Sequence, residues 1–427
     1  MLPPVGKHRM KLLVFAHTPP PYHGQSYMVK LMLDGLGGDK RGAKAGDTRE
    51  RTDESIECFH VNARFSGQFE EIGEAQLSKA WLILRYCAEA IWCRFRHGAD
   101  HFYYVPAPGK RIALYRDWVV MLLCRPFFKK TIFHWHATGL GDWLRHEGTW
   151  IERWITHALL DGPALSIALA ISSMRDSLWF KSWRVEIVPN GIPDPCPDFE
   201  RKILPRRRAR KEARRRLLAG ESLAEPDSMS TGGDPHIFKV LYLAHCTREK
   251  GVFDSLDAVA LANRDSGGSK IRMHLTVAGA FLDAAEEAEF RARIARADLA
   301  GAVTYAGFVD GVEKTRLFGE SDCFCFPTYY AAEGQPVSLI EAIAFGLPVV
   351  TTRWRAIPEI IPADYSAFVP DRAPQALAAA FRSMIENAGD PAVLRAWFLS
   401  HFTDDQHIQS LRKALLHGLA ESPLRPL

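Results

Sequence analysis

The sequence lacks any apolar run of the roughly 18 residues that a membrane-spanning helix needs. The best candidate, residues 112–128, is interrupted by Arg116, Asp117 and Arg125. The first ten residues, MLPPVGKHRM, also lack the apolar core of a signal peptide. These absences predict a cytoplasmic protein, which could still lie on the inner face of a membrane.

Paired cysteine motifs are absent as well. None of the eight cysteines forms a Cys-x-x-Cys pair, and several lie in apolar surroundings, where cysteine acts as a small hydrophobic residue. We therefore expect reduced thiols rather than disulfides.

Length and charge divide the chain. At 427 residues it is too long for one ordinary core, so two domains are expected. The formal net charge is +4, yet residues 201–216 alone carry ten basic side chains and a single acid, Glu212. The basic character is therefore local to one segment.

Short apolar runs alternate with helical patterns along most of the chain, as is typical of parallel sheets covered by helices on both faces. The first half has candidate buried strands at residues 11–16, 56–61, 102–105, 131–134, 165–171 and 185–188. The second half has them at residues 238–243, 273–278, 303–306, 323–326 and 349–351. Residues 201–235 lose this pattern and predict a linker or loop.

One helical pattern carries large apolar residues. Trp81, Leu84, Ile91 and Phe95 recur at three- and four-residue spacing or its multiples, which predicts an apolar helix face. We expect this helix, with Trp92, to bury its tryptophans in the core of the first domain rather than to contact a membrane.

Two carboxylates bracket a predicted helix between two strands. Pro336 fits the first turn of this helix, and Gly346 and Pro348 end it. Glu333 then lies in a loop at the carboxyl end of a strand, the edge where open α/β sheets bind ligands. Glu341 lies about a turn and a half into the helix. A helix N-terminus favours an anion, so a phosphate could bind at the start of this helix. The two carboxylates could then hold sugar hydroxyls on either side of that phosphate.

This arrangement resembles the Glu-x7-Glu motif of retaining nucleotide-sugar glycosyltransferases of family 4. Further matching stretches are Gly307-Phe-Val, the Pro327 loop, Gly346-Leu-Pro-Val-Val, Ile357-Pro-Glu-Ile, Lys250-Gly and Pro189-Asn-Gly-Ile. The resemblance is strongest over residues 238–370 and looser before residue 190. It implies the α/β fold called GT-B, in which two Rossmann-like domains with parallel sheets face each other across a cleft.

The resemblance also implies how the chain is divided into domains and which substrate each domain binds. Residues 1–195 would form an N-terminal Rossmann-like acceptor domain, and residues 196–236 a basic linker or loop. Residues 237–403 would form the Rossmann-like donor-binding domain. Residues 404–427 would supply a C-terminal helix that packs back toward the first domain.

A leaving diphosphate needs a metal ion or fixed positive groups nearby. The sequence has no Asp-x-Asp, so we expect no metal and no cofactor, with cations and helix N-termini taking that role. The resemblance implies that Lys250 contacts the diphosphate together with an arginine five residues earlier. That position holds His245 here, so either Arg248 supplies the guanidinium or His245 acts as a neutral donor.

The other donor-site roles also come from the resemblance. Glu341 would accept hydrogen bonds from the nucleotide ribose, which suits a carboxylate facing vicinal hydroxyls. Glu333 would contact the transferred sugar and stabilise positive charge at the anomeric carbon. The N–H groups of the run Gly334, Gln335, Pro336 and Val337 would face the phosphate and sugar.

Two loops of the first half complete the predicted site. Gly24 follows the first strand, where a glycine lets backbone approach the donor phosphate. His134-Trp-His136 resembles the family's His-x-His-Gly motif, with Ala137 in place of the glycine. His136 would hydrogen bond to a sugar hydroxyl, and His134 is the alternative if the register differs.

The basic segment 201–216 has three interpretations. A solvated linker is the commonest meaning of such a run. An anionic membrane surface is the functional alternative, because basic groups bind anionic lipid. Nucleic-acid binding is not expected, since no aromatic residues are interleaved with the charges.

The sequence therefore predicts a retaining, metal-independent glycosyltransferase of hexosyltransferase type. Its donor would be a UDP- or GDP-sugar, and its acceptor a glycan or lipid-linked molecule of bacterial cell-surface polysaccharide or lipopolysaccharide synthesis. A sugar-nucleotide epimerase or hydrolase on the same fold is one alternative, although no additional set of acids and bases is evident. A non-catalytic binding scaffold is the other, favoured by His245 and opposed by Lys250, Glu333 and Glu341.

Overall fold

The chain folds into two compact units. The computed structural model describes residues 9–41, 55–65, 75–223, 233–264, 270–365 and 368–420. One unit comprises Met1–Asn190 with Asp404–Leu427, and the other comprises Gly191–Thr403. Residues 1–8 of the predicted N-terminal segment and residues 224–232 of the predicted linker lie outside the described residues. Of the helices that the structure describes, none combines the length and the apolar character needed to cross a membrane.

The first unit is built on a six-stranded parallel sheet with the order β2-β1-β3-β4-β5-β6. Its strands are β1 (Met10–Ala16), β2 (Ile56–Asn62), β3 (His101–Tyr104), β4 (Lys130–Trp135), β5 (Leu165–Ala168) and β6 (Val185–Ile187). Its described helices before residue 191 are α1 (Gly24–Gly35), α2 (Ala75–His97), α3 (Arg111–Cys124), α4 (Leu140–His146), α5 (Trp150–Leu160) and α6 (Met174–Trp179). The central strands are buried on both faces, which explains their continuous apolar runs.

The second unit is also built on a six-stranded parallel sheet, with the order β12-β11-β10-β7-β8-β9. Its strands are β7 (Ile237–Leu243), β8 (Arg272–Ala278), β9 (Val303–Gly307), β10 (Cys323–Phe326), β11 (Val349–Thr352) and β12 (Phe368–Val369). Its described helices are α7 (Leu204–Leu218), α8 (Val252–Arg264), α9 (Ala284–Ile294), α10 (Gly311–Glu320), α11 (Val337–Ala344), α12 (Pro374–Asn387) and α13 (Pro391–His401).

The last described helix, α14 (Asp404–Ala420), belongs to the first unit. Leu411 and Leu415 are buried in one core cluster with Leu12, Val14 and residues of β4 and β5. His407 binds the carbonyl of Pro189 through Nδ1 at 2.7 Å. The chain therefore leaves the first unit at residue 190 and returns to complete its core more than two hundred residues later.

The predicted α/β architecture with two parallel sheets is confirmed. The strand at Cys323–Phe326 and the helix that follows Pro336 lie where the sequence places them. The two-residue strand β12 was not predicted, because so short a segment shows no periodicity. All eight cysteines are free and buried.

The prediction of a loop or linker over the basic segment is wrong for residues 204–218, which form α7. Arg207 donates to the carbonyls of Ser321 at 2.6 Å and Phe318 at 2.8 Å. Arg210 and Arg214 both bind the buried carboxylate of Asp322, at 2.8 and 2.6 Å. Guanidinium groups therefore share the inward face of this helix with Leu204, Ala213 and Leu217, which weakens the apolar periodicity that a sequence search relies on.

The predicted burial of the tryptophans of α2 is also wrong. Trp81 and Trp92 are 64% and 56% exposed, and Phe95 is 70% exposed. The face of α2 that packs on the sheet carries the small residues Cys87, Ala90 and Cys93. Small side chains let the helix approach the strands closely, and the large ones are turned outward.

Candidate functional site

The predicted donor residues gather at the topological switch point of the second sheet. Strand order reverses between β7 and β10, and open α/β sheets bind ligands outside the carboxyl ends of strands at such a point. Lys250 follows β7, and Glu333 follows β10. The Lys250 ammonium lies 2.6 Å from Glu333 Oε2, and both side chains are largely buried, at 17% and 6% exposed. The structure thus joins the predicted cation and the first predicted carboxylate in one ion pair.

Gly251 fixes the loop that carries Lys250. Its φ of +82° lies in the left-handed region, and a Cβ there would be 2.6 Å from the carbonyl oxygen of Pro327. The amide of Tyr329 also donates to the carbonyl of Glu249 at 2.8 Å. The loop after β7 therefore packs directly on the loop after β10, and any side chain at position 251 would separate them.

Several contacts orient the ion pair. The Thr328 hydroxyl donates to Glu333 Oε2 at 3.0 Å, and the amide of Glu333 donates to the carbonyl of Tyr330 at 3.0 Å. The Lys250 ammonium lies 4.8 Å from the centre of the Tyr330 ring, within the range of a cation–π interaction. The head groups of both side chains are thus held by neighbours of the same loop.

The start of α11 follows Glu333 directly. Pro336 is the N-cap residue rather than a residue of the first turn, and its carbonyl accepts from the amide of Leu339 at 3.1 Å. Gly334, Gln335 and Pro336 are buried, and Val337 is half-buried. Pro336 has no N–H, so the expectation that its backbone donates to the ligand is corrected. The first amides of a helix have no intrahelical acceptor and carry partial positive charge, which suits an anion.

Glu341 is held by a residue that the sequence analysis missed. Lys314, on α10, lies 2.6 Å from Glu341 Oε1. Burial raises the pKa of the Glu341 carboxyl, and the Lys314 ammonium opposes that rise. Lys314 lies 27 residues before Glu341, and no local pattern marks it.

His245 and Arg248, the two candidates for the role of the missing arginine, have different surroundings in the structure. Burial lowers the pKa of His245, and the nearby Lys250 lowers it further, so its imidazole is neutral. The Arg248 guanidinium lies 2.5 Å from Glu289 Oε2 and 4.4 Å from the centre of the Phe253 ring. Arg248 is therefore engaged by α8 and α9 rather than by the Lys250–Glu333 pair.

His136 and Gly24 lie in the first unit. His136 follows β4, is half-buried, and has its ring centre 4.1 Å from that of His134. Burial lowers the pKa of His136 to about 3, with His407 and His23 adding to the effect, so His136 is a neutral donor or acceptor. His134 is buried, and its Nδ1 lies 2.5 Å from the hydroxyl of Tyr103. Gly24 is the exposed first residue of α1.

Two cavities accompany these features. One of about 130 Å³ lies at the switch point of the first sheet, with His17, His23, Tyr104 and Arg116 among its lining residues. A larger one of about 280 Å³, at the amino ends of β7 and β10, is lined in part by α7. The larger cavity therefore lies at the edge of the second sheet opposite to Lys250 and Glu333.

The fold that these two parallel α/β units define is GT-B. Sucrose-phosphate synthase from Thermosynechococcus elongatus superposes with a TM-score of 0.64 at 16% identity, covering 96% of this chain and 100% of that one. HepE from Anabaena, in complex with UDP and glucose, gives a TM-score of 0.59 at 16% identity, covering 95% and 99%. The predicted GT-B fold is confirmed by these likenesses.

The second unit contains a recognised enzyme domain. Residues 232–396 match the family model "Glycosyl transferases group 1". The amylovoran biosynthesis glycosyltransferase AmsK of Erwinia amylovora is 33% identical over 177 residues, which are 40% of this chain and 42% of that relative. The match to this curated relative therefore spans less than half its length. The stretch matched by the family model contains Lys250, Lys314, Glu333 and Glu341, and the match supports a glycosyltransferase.

Proposed function

We propose that this protein is a retaining, metal-independent glycosyltransferase of family 4. It transfers a sugar from a UDP- or GDP-sugar to a glycan or lipid-linked acceptor in bacterial cell-surface polysaccharide or lipopolysaccharide synthesis. The observation that carries the proposal is the pair of lysine–carboxylate contacts, Lys250–Glu333 and Lys314–Glu341, beside the start of α11. These four side chains place fixed positive charge and hydroxyl acceptors at a sheet edge suited to a nucleotide diphosphate sugar.

In this reaction the diphosphate gains negative charge as the glycosidic bond breaks. The Lys250 ammonium and the amides at the start of α11 stabilise that charge, and the amides are fixed by the helix before the donor arrives. Glu341 accepts hydrogen bonds from the ribose. Once Lys250 turns to the diphosphate, Glu333 is released to face the sugar and the positive charge at its anomeric carbon.

The remaining candidate residues take narrower roles. His245 serves as a neutral donor to the diphosphate, because its pKa is lowered by burial and by Lys250. His136 donates to a sugar hydroxyl through a neutral imidazole, and the Gly24 loop approaches the donor from the first unit. The acceptor hydroxyl attacks the anomeric carbon on the face that the diphosphate leaves, and its proton passes to the departing diphosphate oxygen, which gives retention.

The names of similar proteins support the choice of substrates. HepE is described in complex with UDP and glucose, which supports a nucleotide-sugar donor. AmsK is named for amylovoran biosynthesis, which supports a polysaccharide-building role. An anionic membrane surface at residues 201–216 is less favoured by the structure, because Arg207, Arg210 and Arg214 of that segment are buried.

Nucleotide binding tests the donor site. We expect Lys250→Ala and Glu341→Ala each to weaken UDP or GDP binding by about tenfold to a hundredfold, since each removes a charge-assisted hydrogen bond. Isothermal titration measures the loss. Arg248→Ala is the matched control and should bind nucleotide like the parent, because its guanidinium is engaged by Glu289. Parent-like binding by both Lys250→Ala and Glu341→Ala would show that the donor site is wrongly placed.

Turnover tests the reaction class. A mass-spectrometric screen of UDP- and GDP-sugars, with a membrane extract as the acceptor source, should yield one glycosylated product. Its anomeric configuration, read by NMR, should match that of the donor, and activity should persist in a chelator. An inverted product or complete loss of activity in the chelator would contradict the proposed mechanism.

A further inference from the structure

Three neighbouring helices of the first unit expose large apolar side chains. We call their outward surface the aromatic face. It consists of Trp81, Leu84, Trp92 and Phe95 on α2, Ile112, Tyr115 and Leu122 on α3, Phe127 just after α3, and Trp150, Ile151 and Trp154 on α5. Ile112 is 86% exposed, and Trp150 and Trp154 are 71% and 68% exposed.

These exposed residues are not the edge of the core. The inward sides of the same helices already cover the first sheet, through Cys87 and Cys93 of α2, Leu114 and Met121 of α3, and Leu160 of α5. An ordinary surface helix has one apolar stripe, facing the core, and a polar opposite side. Each of these three helices carries a second apolar stripe directed toward solvent, which marks a surface made for contact with another apolar phase.

The aromatic face is continuous across the helices. The rings of Phe95 and Phe127 lie 6.0 Å apart, and Arg94 Nε donates to the carbonyl of Phe127 at 2.8 Å, which joins α2 to the end of α3. Trp118 of α3 donates to the Thr156 hydroxyl of α5 at 2.9 Å. The exposed rings therefore lie on one helical layer instead of being scattered singly.

The exposed charges on these three helices have one sign, whereas the exposed Glu147 lies in the segment just before α5. Among the described side chains of α2, α3 and α5, the charged ones that are exposed are Arg85, Arg96 and Arg111. The acidic side chains of the same helices form hydrogen bonds or ion pairs with other residues. Glu152 is buried against Arg111 and Tyr115, and Glu89 pairs with Arg41. A surface with exposed indoles and exposed arginines is complementary to a layer of anionic head groups.

We propose that the aromatic face binds the surface of an anionic lipid bilayer. Tryptophan and tyrosine favour the boundary between water and acyl chains, where their rings are apolar and their N–H or O–H groups remain solvated. Helices that lie in this plane combine such residues with basic ones, which attract anionic lipid. The bilayer contact is thereby assigned to α2, α3 and α5 in the first unit and not to residues 201–216.

A second copy of the chain fits this face less well. A symmetric dimer would place the same patch against itself, so Arg85 and Arg96 would meet like charges without exposed acids of these helices to pair them. A protein partner would have to bring both an apolar surface and acidic residues. Both are outcomes that the following experiment distinguishes from a bilayer.

Vesicle flotation of the full chain tests the proposal. The parent should float with vesicles of phosphatidylcholine mixed with phosphatidylglycerol, and far less with phosphatidylcholine alone. We expect Trp92→Gln/Phe95→Gln to weaken binding to the mixed vesicles about tenfold or more, because two rings that would be buried in the bilayer are lost. Arg85→Gln/Arg96→Gln should weaken it about tenfold and remove most of the preference for anionic lipid, since both cations are lost.

The matched control is Val393→Gln/Leu399→Gln, which removes two exposed apolar side chains from α13 of the second unit. This control should float like the parent. Circular dichroism checks that each variant is folded, and nucleotide titration checks that the second unit, which holds both the donor-site residues and α13, is intact in the control. Failure of the parent to bind mixed vesicles, or parent-like binding by both face variants, would overturn the proposal. Loss of self-association or of a protein partner in the face variants, without lipid binding by the parent, would also overturn it.

Discussion

Lys314 and Glu341 show how one contact can set the chemistry of a carboxylate. Glu341 is buried, and burial alone favours its protonated form, which donates a hydrogen bond where the ribose needs an acceptor. The Lys314 ammonium at 2.6 Å counteracts that effect. Under the proposed function, Lys314 is a positioning residue that keeps Glu341 ionised and aimed.

Replacing Lys314 should therefore change how nucleotide binding depends on pH. In Lys314→Met the pKa of Glu341 rises further, so its carboxyl is protonated at a higher pH. We expect nucleotide binding about tenfold weaker than the parent's near neutrality, with a larger loss on the acid side and partial recovery on the alkaline side. Isothermal titration across pH measures this profile.

Two variants sharpen that measurement. Lys314→Arg keeps the positive charge and should restore most of the affinity. Arg316→Met removes an exposed cation of the same helix, paired with Glu313 and Glu320, and should bind like the parent. An equal loss at every pH in Lys314→Met would show that Lys314 does not act through the ionisation of Glu341.

Some donor-site residues can be identified from the sequence and one cannot. The difference is how far along the chain each residue lies from the local pattern or partner that marks it. Glu333 and Glu341 are recognisable because they flank a strand–loop–helix segment with its own start and stop signals. Lys250 is recognisable because it follows a strand and precedes a glycine. Lys314 becomes visible only when α10 packs beside α11, since no pattern within its own helix points to Glu341.

At the scale of elements, α7 is held by buried charges as well as by apolar packing. Arg210 and Arg214 converge on Asp322, which also accepts from the amide of Lys239 at 2.9 Å. Burial pushes the pKa of Asp322 upward, but the two guanidinium groups outweigh it and hold the pKa below its usual range. The stabilisation this carboxylate supplies is present above an unfolded pKa of about 4 and is lost as the pH falls.

Neutralising Asp322 should loosen the second unit. In Asp322→Asn two buried guanidinium groups lose their counter-ion, so we expect the free energy of unfolding to fall by about 3–5 kcal/mol. Hydrogen exchange of peptides from β7, β10 and α7 reports that change for this unit alone. Glu212→Gln breaks the exposed contact with Arg215, which solvent screens, and should change stability little, so an equal effect of both changes would refute the assignment.

Periodicity located the helices better than it located their buried sides. In α2 the large residues Trp81 and Phe95 predict a core-facing stripe, yet Cys87 and Ala90 pack on the sheet. In α7 half of the buried positions are arginines, so the apolar pattern is too sparse for the same rule to find a helix. Both errors have one physical cause, because the rule assumes that the most apolar side of a helix is the side that folding buries.

At the scale of the molecule, the proposed donor site belongs to one uninterrupted stretch of chain. Lys250, Lys314, Glu333 and Glu341 all lie in Gly191–Thr403. The two ends of that stretch also lie together, since the amide of Ile192 donates to the carbonyl of Phe402 at 2.9 Å. The first and last segments of the second unit are therefore paired with each other.

A fragment of residues 191–403 should fold and bind nucleotide. We expect its Kd for UDP or GDP to lie within about tenfold of the full chain's, because the four charged side chains are retained. It should transfer no sugar, since His136 and Gly24 are missing. Titration and circular dichroism test the first statement, with Glu341→Ala in the fragment as the control. A folded fragment that fails to bind would place essential nucleotide contacts in the first unit.

The late return of α14 has a consequence for synthesis on the ribosome. Leu12, Val14 and Leu165 emerge early, but Leu411 and Leu415, which share their core cluster, are added only after the whole second unit has been translated. At about 5–20 residues per second the interval is roughly 10–40 s. During that time the apolar surface that α14 will cover stays exposed on the nascent first unit, whereas the second unit has its whole sequence once residue 403 has been made.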